Sequence, residues 1–320
     1  MKNLKERPIL SYDEQIEHLK ERGITFNKNF SENEAKEYLR SHNNLFRVTS
    51  YRENFKDRNP NNKSKKYNGL DFSHLVDLSR IDMRLRRIIF NLSSNIEHYS
   101  KLQLLNSITE SSNENRDSHK IVKDFINSLE DREANRLQGE IERNARNIYL
   151  SGLYREYHEK FPIWAFLEII SFGQFIYLYK FYTNNYDCKL KKDDFYLLEK
   201  VKRARNAAAH NNCFINDLHP GKKPCKDEEV MTALAKIGIK EGQRRKKMSN
   251  ERIAQIITCL YMHQKIVTHH EHTEIHLRIS RKLQALSTRF FENFKYESND
   301  VIRTTFHMMK EIIDHWYTIT

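Results

Sequence analysis

From Leu75 to Tyr99 the apolar residues step by three and four, through Leu78, Ile81, Leu85, Ile88, Ile89, Leu92 and Ile96. That spacing is one face of a single amphipathic helix of about seven turns. A chain built around such a stripe must bury it against other helices or against a sheet. The sheet option fails on turn chemistry. Sandwiches and barrels need a turn about every 8–12 residues, whereas this chain holds 8 Gly and 5 Pro in 320 residues, against a usual share of about 12 %. The core is therefore expected to be all-α, a helical bundle filled by 18 Phe and 16 Tyr.

Punctuation along the chain divides the bundle. Ser11 and Glu14, then Ser31 and Glu34, have capping-box spacing, and Gly23 between them stands where a C′ glycine ends a helix. Residues 1–60 thus read as an N-terminal helical hairpin region. Residues 57–69, DRNPNNKSKKYNG, read as a linker. The bundle follows over 70–215, with a charged helical stretch at 119–159 that Gly139 and Gly152 could interrupt. Residues 220–320, beyond the polar loop NDLHPGKKPCKDEE, read as a C-terminal helical extension.

Residues 162–179, PIWAFLEIISFGQFIYLY, carry one charged group in eighteen. A membrane span needs about 20 predominantly apolar residues, so this segment is expected to be the central buried helix. Glu168 within it then requires a partner. No apolar leader precedes Ser11, and the four cysteines (Cys188, Cys213, Cys225 and Cys259) form no C-x-x-C pair. Free thiols, no membrane and a cytoplasmic location are the expectations.

The strongest candidate for chemistry is Arg205, Asn206 and His210, in the order R-N-x-x-x-H. Arg205 follows Leu198 by seven residues and Val201 by four, so it shares their apolar face and must be paired or line a polar cleft. Asn206 and His210 are i, i+4 neighbours. Arg205 and His210 lie about 140° apart around one helix, so two copies related by a two-fold axis could surround one phosphate, their approach eased by Ala207, Ala208 and Ala209. The residue types suit RNA cleavage. His moves protons near neutrality, Arg stabilises extra charge on a phosphoryl group, and the ribose 2′-OH is an internal nucleophile. The motif brings no carboxylate cluster, so no metal or other cofactor is expected. A purely structural reading stays open, in which Arg205 pairs with Glu168 in the core and His210 is a surface residue.

Five blocks carry a wider likeness: RPILSYDEQIEHLKERGI, EAKEYLRSHNNLFRVTSY, DMRLRRIIFNLSSNIEH, FPIWAFLEIISFGQF and RNAAAHNN. In this order they resemble the Abi_2 family of abortive-infection proteins (AbiD/AbiF type), and the motif resembles that of the HEPN superfamily of ribonucleases. The resemblance implies a HEPN-like helical bundle, bacterial phage defence and RNA as the partner, a structured non-coding RNA included. Carried over by position, Arg205, Asn206 and His210 are the catalytic group, while Glu97 and Glu168 match acidic positions and read as core partners. The chain departs from the pattern in the residues before Arg47, where Asn44, Leu45 and Phe46 stand in place of an aromatic pair, and again at residues 211–214.

The formal net charge of +12 fits a polyanionic partner. Four clusters supply the RNA-contact candidates: Lys63, Lys65 and Lys66; Arg84, Arg86 and Arg87; Lys202 and Arg203; and Arg244, Arg245, Lys246 and Lys247. Each alone reads as a solvated face. A rival site is the run from His263 to His276, where His272, His276 and Glu271 have zinc-compatible spacing. Two other functions remain at this stage: a non-catalytic RNA-binding protein and a basic protein-interaction module.

Overall fold

The structure is a computed structural model that describes residues 8–26, 30–56, 67, 69–111, 116–267 and 273–319. Among these residues there are α-helices and short 3-10 turns but no strand, and extended pairing is limited to a bridge between Thr25 and Asp71. The all-α expectation holds.

The helices are α1 (Tyr12–Glu21), α2 (Glu32–Ser41), α3 (Leu45–Thr49), α4 (Phe72–Thr109), α5 (Ser118–Asn127), α6 (Asp131–Arg143), α7 (Ser151–Tyr157) and α8 (Ile163–Ile169). They continue with α9 (Phe172–Asn185), α10 (Asp194–Ala209), α11 (Glu228–Lys236), α12 (Glu241–Met248), α13 (Glu251–Val267), α14 (Thr273–Arg289) and α15 (Asp300–Trp316). The chain forms two compact units, one of residues 1–89, 207–257 and 274–320, the other of residues 90–206 and 258–273.

In the first unit, both capping boxes form as the spacing predicts. Glu14 Oε2 accepts from Ser11 N at 2.7 Å and Glu34 Oε2 from Ser31 N at 2.8 Å, each serine hydroxyl accepting in turn from the glutamate N–H. Gly23, at φ 81°, closes α1 in a conformation that a side chain would resist. The apolar stripe of α4 is buried here from Leu75 to Ile89. Buried Asp77 on that helix accepts from Tyr296 Oη at 2.6 Å and Asn293 Nδ2 at 2.8 Å, and pairs with Arg289 at the end of α14. Beside them Phe290 stacks on Phe306 of α15 with centroids 4.5 Å apart. Gly221 passes so close to the carbonyl of Ser249 that a Cβ would sit 2.1 Å from it. The glycine there answers to space rather than to φ.

In the second unit, α5 packs on α8 and α9, with Phe125 set between Phe166 and Phe181. The single central helix expected over 162–179 is two helices. Ile170 is extended, and Ser171 caps α9 by accepting from Gln174 N. Glu140 of α6 secures the break, its carboxylate accepting from the backbone N–H and, at 3.1 Å, the hydroxyl of Ser171. Local capping outweighs hydrophobic continuity at this point. The expected breaks at Gly139 and Gly152 are also displaced, since α6 and α7 run through them. Among the described residues no helix is long and apolar enough to cross a membrane.

Candidate functional site

The R-N-x-x-x-H residues occupy the end of α10. Leu198, Val201, Ala204 and Ala208 are buried and fix the face on which the helix lies. Arg205 is half-buried on the edge of that face. Its Nε is buried with no hydrogen-bond partner, and its Nη1 makes a long contact of 3.4 Å to Asn206 Oδ1. The core pair with Glu168 does not form. Glu168 is exposed on α8 and makes no ion pair among the described residues. Glu97, by contrast, is half-buried and pairs with Lys101 at 3.5 Å. Asn206 and His210 are both exposed.

What ends α10 is the segment after the motif. Asn211 adopts φ 56°, its N–H donates to Ala208 O at 3.0 Å, and Asn212 N donates to Ala207 O at 2.8 Å. This is the reversed-turn closure in which a left-handed residue satisfies the last helical carbonyls, with asparagine where glycine is commoner. His210 is therefore the capping residue, exposed where the helix stops.

A ring of polar groups in the first unit, Asp82 and Asn54 buried and Arg47 half-buried, holds residues 211–218. Arg47 of α3 donates to the carbonyl of Asn211. Asp82 of α4, fully buried, accepts from Phe214 N at 2.8 Å and Ile215 N at 3.0 Å and pairs with Arg86. Asn54 accepts from Leu218 N and donates to Ile215 O, both at 2.8 Å. Downstream, Asn250 Nδ2 donates to Asp217 O and His219 O. Arg47, which follows the first departure from the family pattern, thus contacts Asn211, the first residue of the second. Neither Asp82 nor Asn54 stands out in the sequence as a site residue. A signal for Asp82 exists: a carboxylate inside an apolar stripe, between Leu78 and Leu85, with Arg86 four residues on.

The basic clusters fare unequally. Arg84 and Arg87 are exposed on α4, but Arg86 is buried with Asp82 and leaves the contact surface. Lys202 is half-buried and pairs with Glu199 at 2.6 Å, and Arg203 is exposed. On α12, Arg244 donates to Ile239 O at 2.7 Å, Arg245 pairs with Glu241 at 2.7 Å, and Lys246 is exposed. Lys247 must be removed from the contact set. It is buried, with Nζ on Val301 O at 3.1 Å and Thr305 Oγ1 at 2.7 Å, and burial pulls its pKa down to about 8. Lys63, Lys65 and Lys66 lie outside the described residues.

Of the histidine run, Glu271 and His272 also lie outside the described residues. His263 is buried with Nε2 3.3 Å from Asn95 Nδ2, and His276 stacks on Tyr317 at 5.3 Å, its pKa lowered by burial. Among the described residues no three His, Cys, Asp or Glu side chains group to hold a metal. None of the four cysteines is in a disulfide.

A family model described as Abi-like protein (Abi_2) matches residues 37–216, a span that runs from α2 through the motif to the loop held by Asp82. No curated protein matches the chain, and no solved structure does.

Proposed function

This chain belongs to the Abi-like protein family, which points to abortive-infection phage defence, and on that premise we propose that it acts there by cutting RNA. The supporting observation is Arg205. A half-buried guanidinium with an acceptorless Nε and no carboxylate partner among the described residues is a costly arrangement for a purely structural arginine. A phosphate supplied from outside would satisfy it, and Asn206 and His210 are exposed on the same helix end to meet the same ligand.

In the reaction His210 takes the proton of a ribose 2′-OH, whose oxygen attacks the adjacent phosphorus. The P–O5′ bond breaks, and the leaving oxygen receives a proton from the second histidine of a two-fold dimer. The products are a 2′,3′-cyclic phosphate and a 5′-OH. Arg205 stabilises the pentavalent phosphoryl group and Asn206 holds a phosphate oxygen or the imidazole. The dimer answers the offset of about 140° between Arg205 and His210, which keeps one helix from aiming both at one atom. Arg84, Arg87, Arg203, Arg245 and Lys246 are the exposed cations of the expected RNA surface.

The test is cleavage of single-stranded RNA by wild type and by Arg205→Lys. The variant keeps the charge and loses the bidentate fork, so cleavage should fall at least about a hundred-fold with RNA binding retained. Equal cleavage by both proteins overturns the role of Arg205.

A further inference from the structure

The second unit contains a cleft of about 580 Å³, lined by residues of 117–161 and by none of the R-N-x-x-x-H group. That volume is within the usual range of small-molecule sites. We propose that this cleft, between α5 and residues 158–161, binds a nucleotide unit, with its phosphate on Lys120, Lys123 and Lys160 and its base over the apolar floor.

Three observations carry this. First, the cations are available. Lys120 and Lys123, one turn apart on α5, and Lys160 on the opposite wall all line the cleft and are exposed. None of the three makes an ion pair among the described residues. Of the two acids at the rim, Asp117 is committed to its own helix, accepting from His119 N at 3.0 Å and Lys120 N at 2.9 Å. Those backbone bonds, helped by the nearby Lys160, hold the Asp117 carboxyl below its usual range. Glu159 is the second acid, so three lysines face two carboxylates and the cleft keeps a net positive charge.

Second, the cleft is two-sided in character. Val122, Ile141 and Phe161 are buried and form an apolar floor. At the last turn of α5 the lining includes the amide of Asn127, and Gln138, whose Nε2 donates to Glu142 Oε1 at 2.8 Å, adds a second amide with its carbonyl oxygen left to accept. Lys120 and Asn127 are seven residues apart on one helix, about 10 Å along its axis, which suits a phosphate at one end and a base at the other. Amide side chains are the groups that read adenine, through its N6 and N7.

Third, polar ring atoms are left for a ligand. His119 Nδ1 is buried with no hydrogen-bond partner. The His158 ring is stacked on Tyr154 at 4.9 Å with Nδ1 3.1 Å from the Tyr154 carbonyl, which fixes the ring and leaves Nε2 for another group.

The nucleotide can be free or can be one unit of an RNA strand, and calorimetric titration of the full chain separates the two. The probes are AMP, adenosine, inorganic phosphate and a short oligoadenylate RNA. AMP should bind at least ten-fold tighter than adenosine or phosphate, and Lys120→Glu/Lys123→Glu, both exposed positions, should weaken it at least ten-fold. Lys160→Glu on the other wall should weaken it independently. Oligoadenylate that binds more tightly than AMP and is released by the same variants makes the strand the source; otherwise the free nucleotide is. His210→Ala should leave AMP affinity unchanged, so the cleft stands or falls apart from the cleavage reaction. Absence of AMP and oligoadenylate binding, AMP no tighter than phosphate, or affinities untouched by the lysine variants would overturn the proposal.

Discussion

Asp82 Oδ1 receives the backbone N–H of Phe214 at 2.8 Å, across 132 residues of chain, and does so from a fully buried position. The same oxygen takes Ile215 N, and Arg86 pairs with the carboxylate. One carboxylate on α4 therefore sets where the chain goes after His210, and with it how α10 ends. Asp82→Ala strands a buried guanidinium and two buried N–H groups, a loss of about 3–5 kcal/mol. Denaturant unfolding should show it as a lower midpoint. Hydrogen exchange should show faster exchange at Phe214 and Ile215 before global unfolding; unchanged protection there contradicts the anchoring role.

Lys247 gives a pH signature. Its folded-state pKa, about 8, is below the ordinary 10.5. Between these values the unfolded chain binds more protons than the folded one, so stability rises with pH across that window. Below pH 8 both states are protonated and the folded protein bears the full cost, about 3 kcal/mol at roughly 1.36 kcal/mol per pKa unit. Lys247→Met removes the buried charge and leaves Thr305 satisfied, because its hydroxyl already donates to Val301 O at 2.7 Å. The variant should be more stable at about pH 7, with the rise between pH 8 and 10.5 gone. Unfolding curves taken below, within and near the top of that window decide it.

How much of this was legible in the sequence follows the range of the interactions. Ser11, Glu14, Ser31 and Glu34 act within one helical turn, so their spacing alone predicts both caps. The α4 stripe was equally plain. The break at Ser171 was hidden because the apolar run continues across it, although Ser171 and Gln174 have cap spacing; the decisive partner, Glu140, is 31 residues away. Arg86 and Lys247 read as surface cations because sequence shows charge and not burial. For Arg86 the partner was within reach, Asp82 four residues back in the same apolar stripe, whereas Thr305, the partner of Lys247, lies 58 residues away on α15 and becomes visible only once the helices are packed. At the candidate site the residues themselves were legible from R-N-x-x-x-H, but the ring of Arg47, Asn54 and Asp82 was not, since these reach across 164, 161 and 132 residues of chain.

The division of the arginines on α4 is itself testable. Arg84→Glu/Arg87→Glu should lower RNA affinity and flatten its dependence on salt. The slope should fall by about 0.9 for each phosphate no longer neutralised on a duplex and by about 0.7 on a single strand. The fold should be unaffected, because both side chains are exposed. Arg86→Ala should do the reverse, lowering stability by leaving Asp82 without its ion-pair partner. Binding titrations over a series of salt concentrations, with unfolding curves on the same proteins, separate the two classes.

Exposed His210, at the capped end of α10, is proposed to move the proton in a 2′-OH attack on RNA, and the most direct measurement of this is end-group analysis. RNA is incubated with wild type and with His210→Ala, in EDTA, alongside a substrate carrying 2′-deoxyribose at the scissile position. Wild type should leave 2′,3′-cyclic phosphate and 5′-OH ends, and the deoxy site should stay intact. His210→Ala should bind the RNA without cutting it while keeping the wild-type unfolding midpoint. Cleavage that persists in His210→Ala, that cuts at the deoxy site, or that leaves 5′-phosphate ends would contradict this assignment.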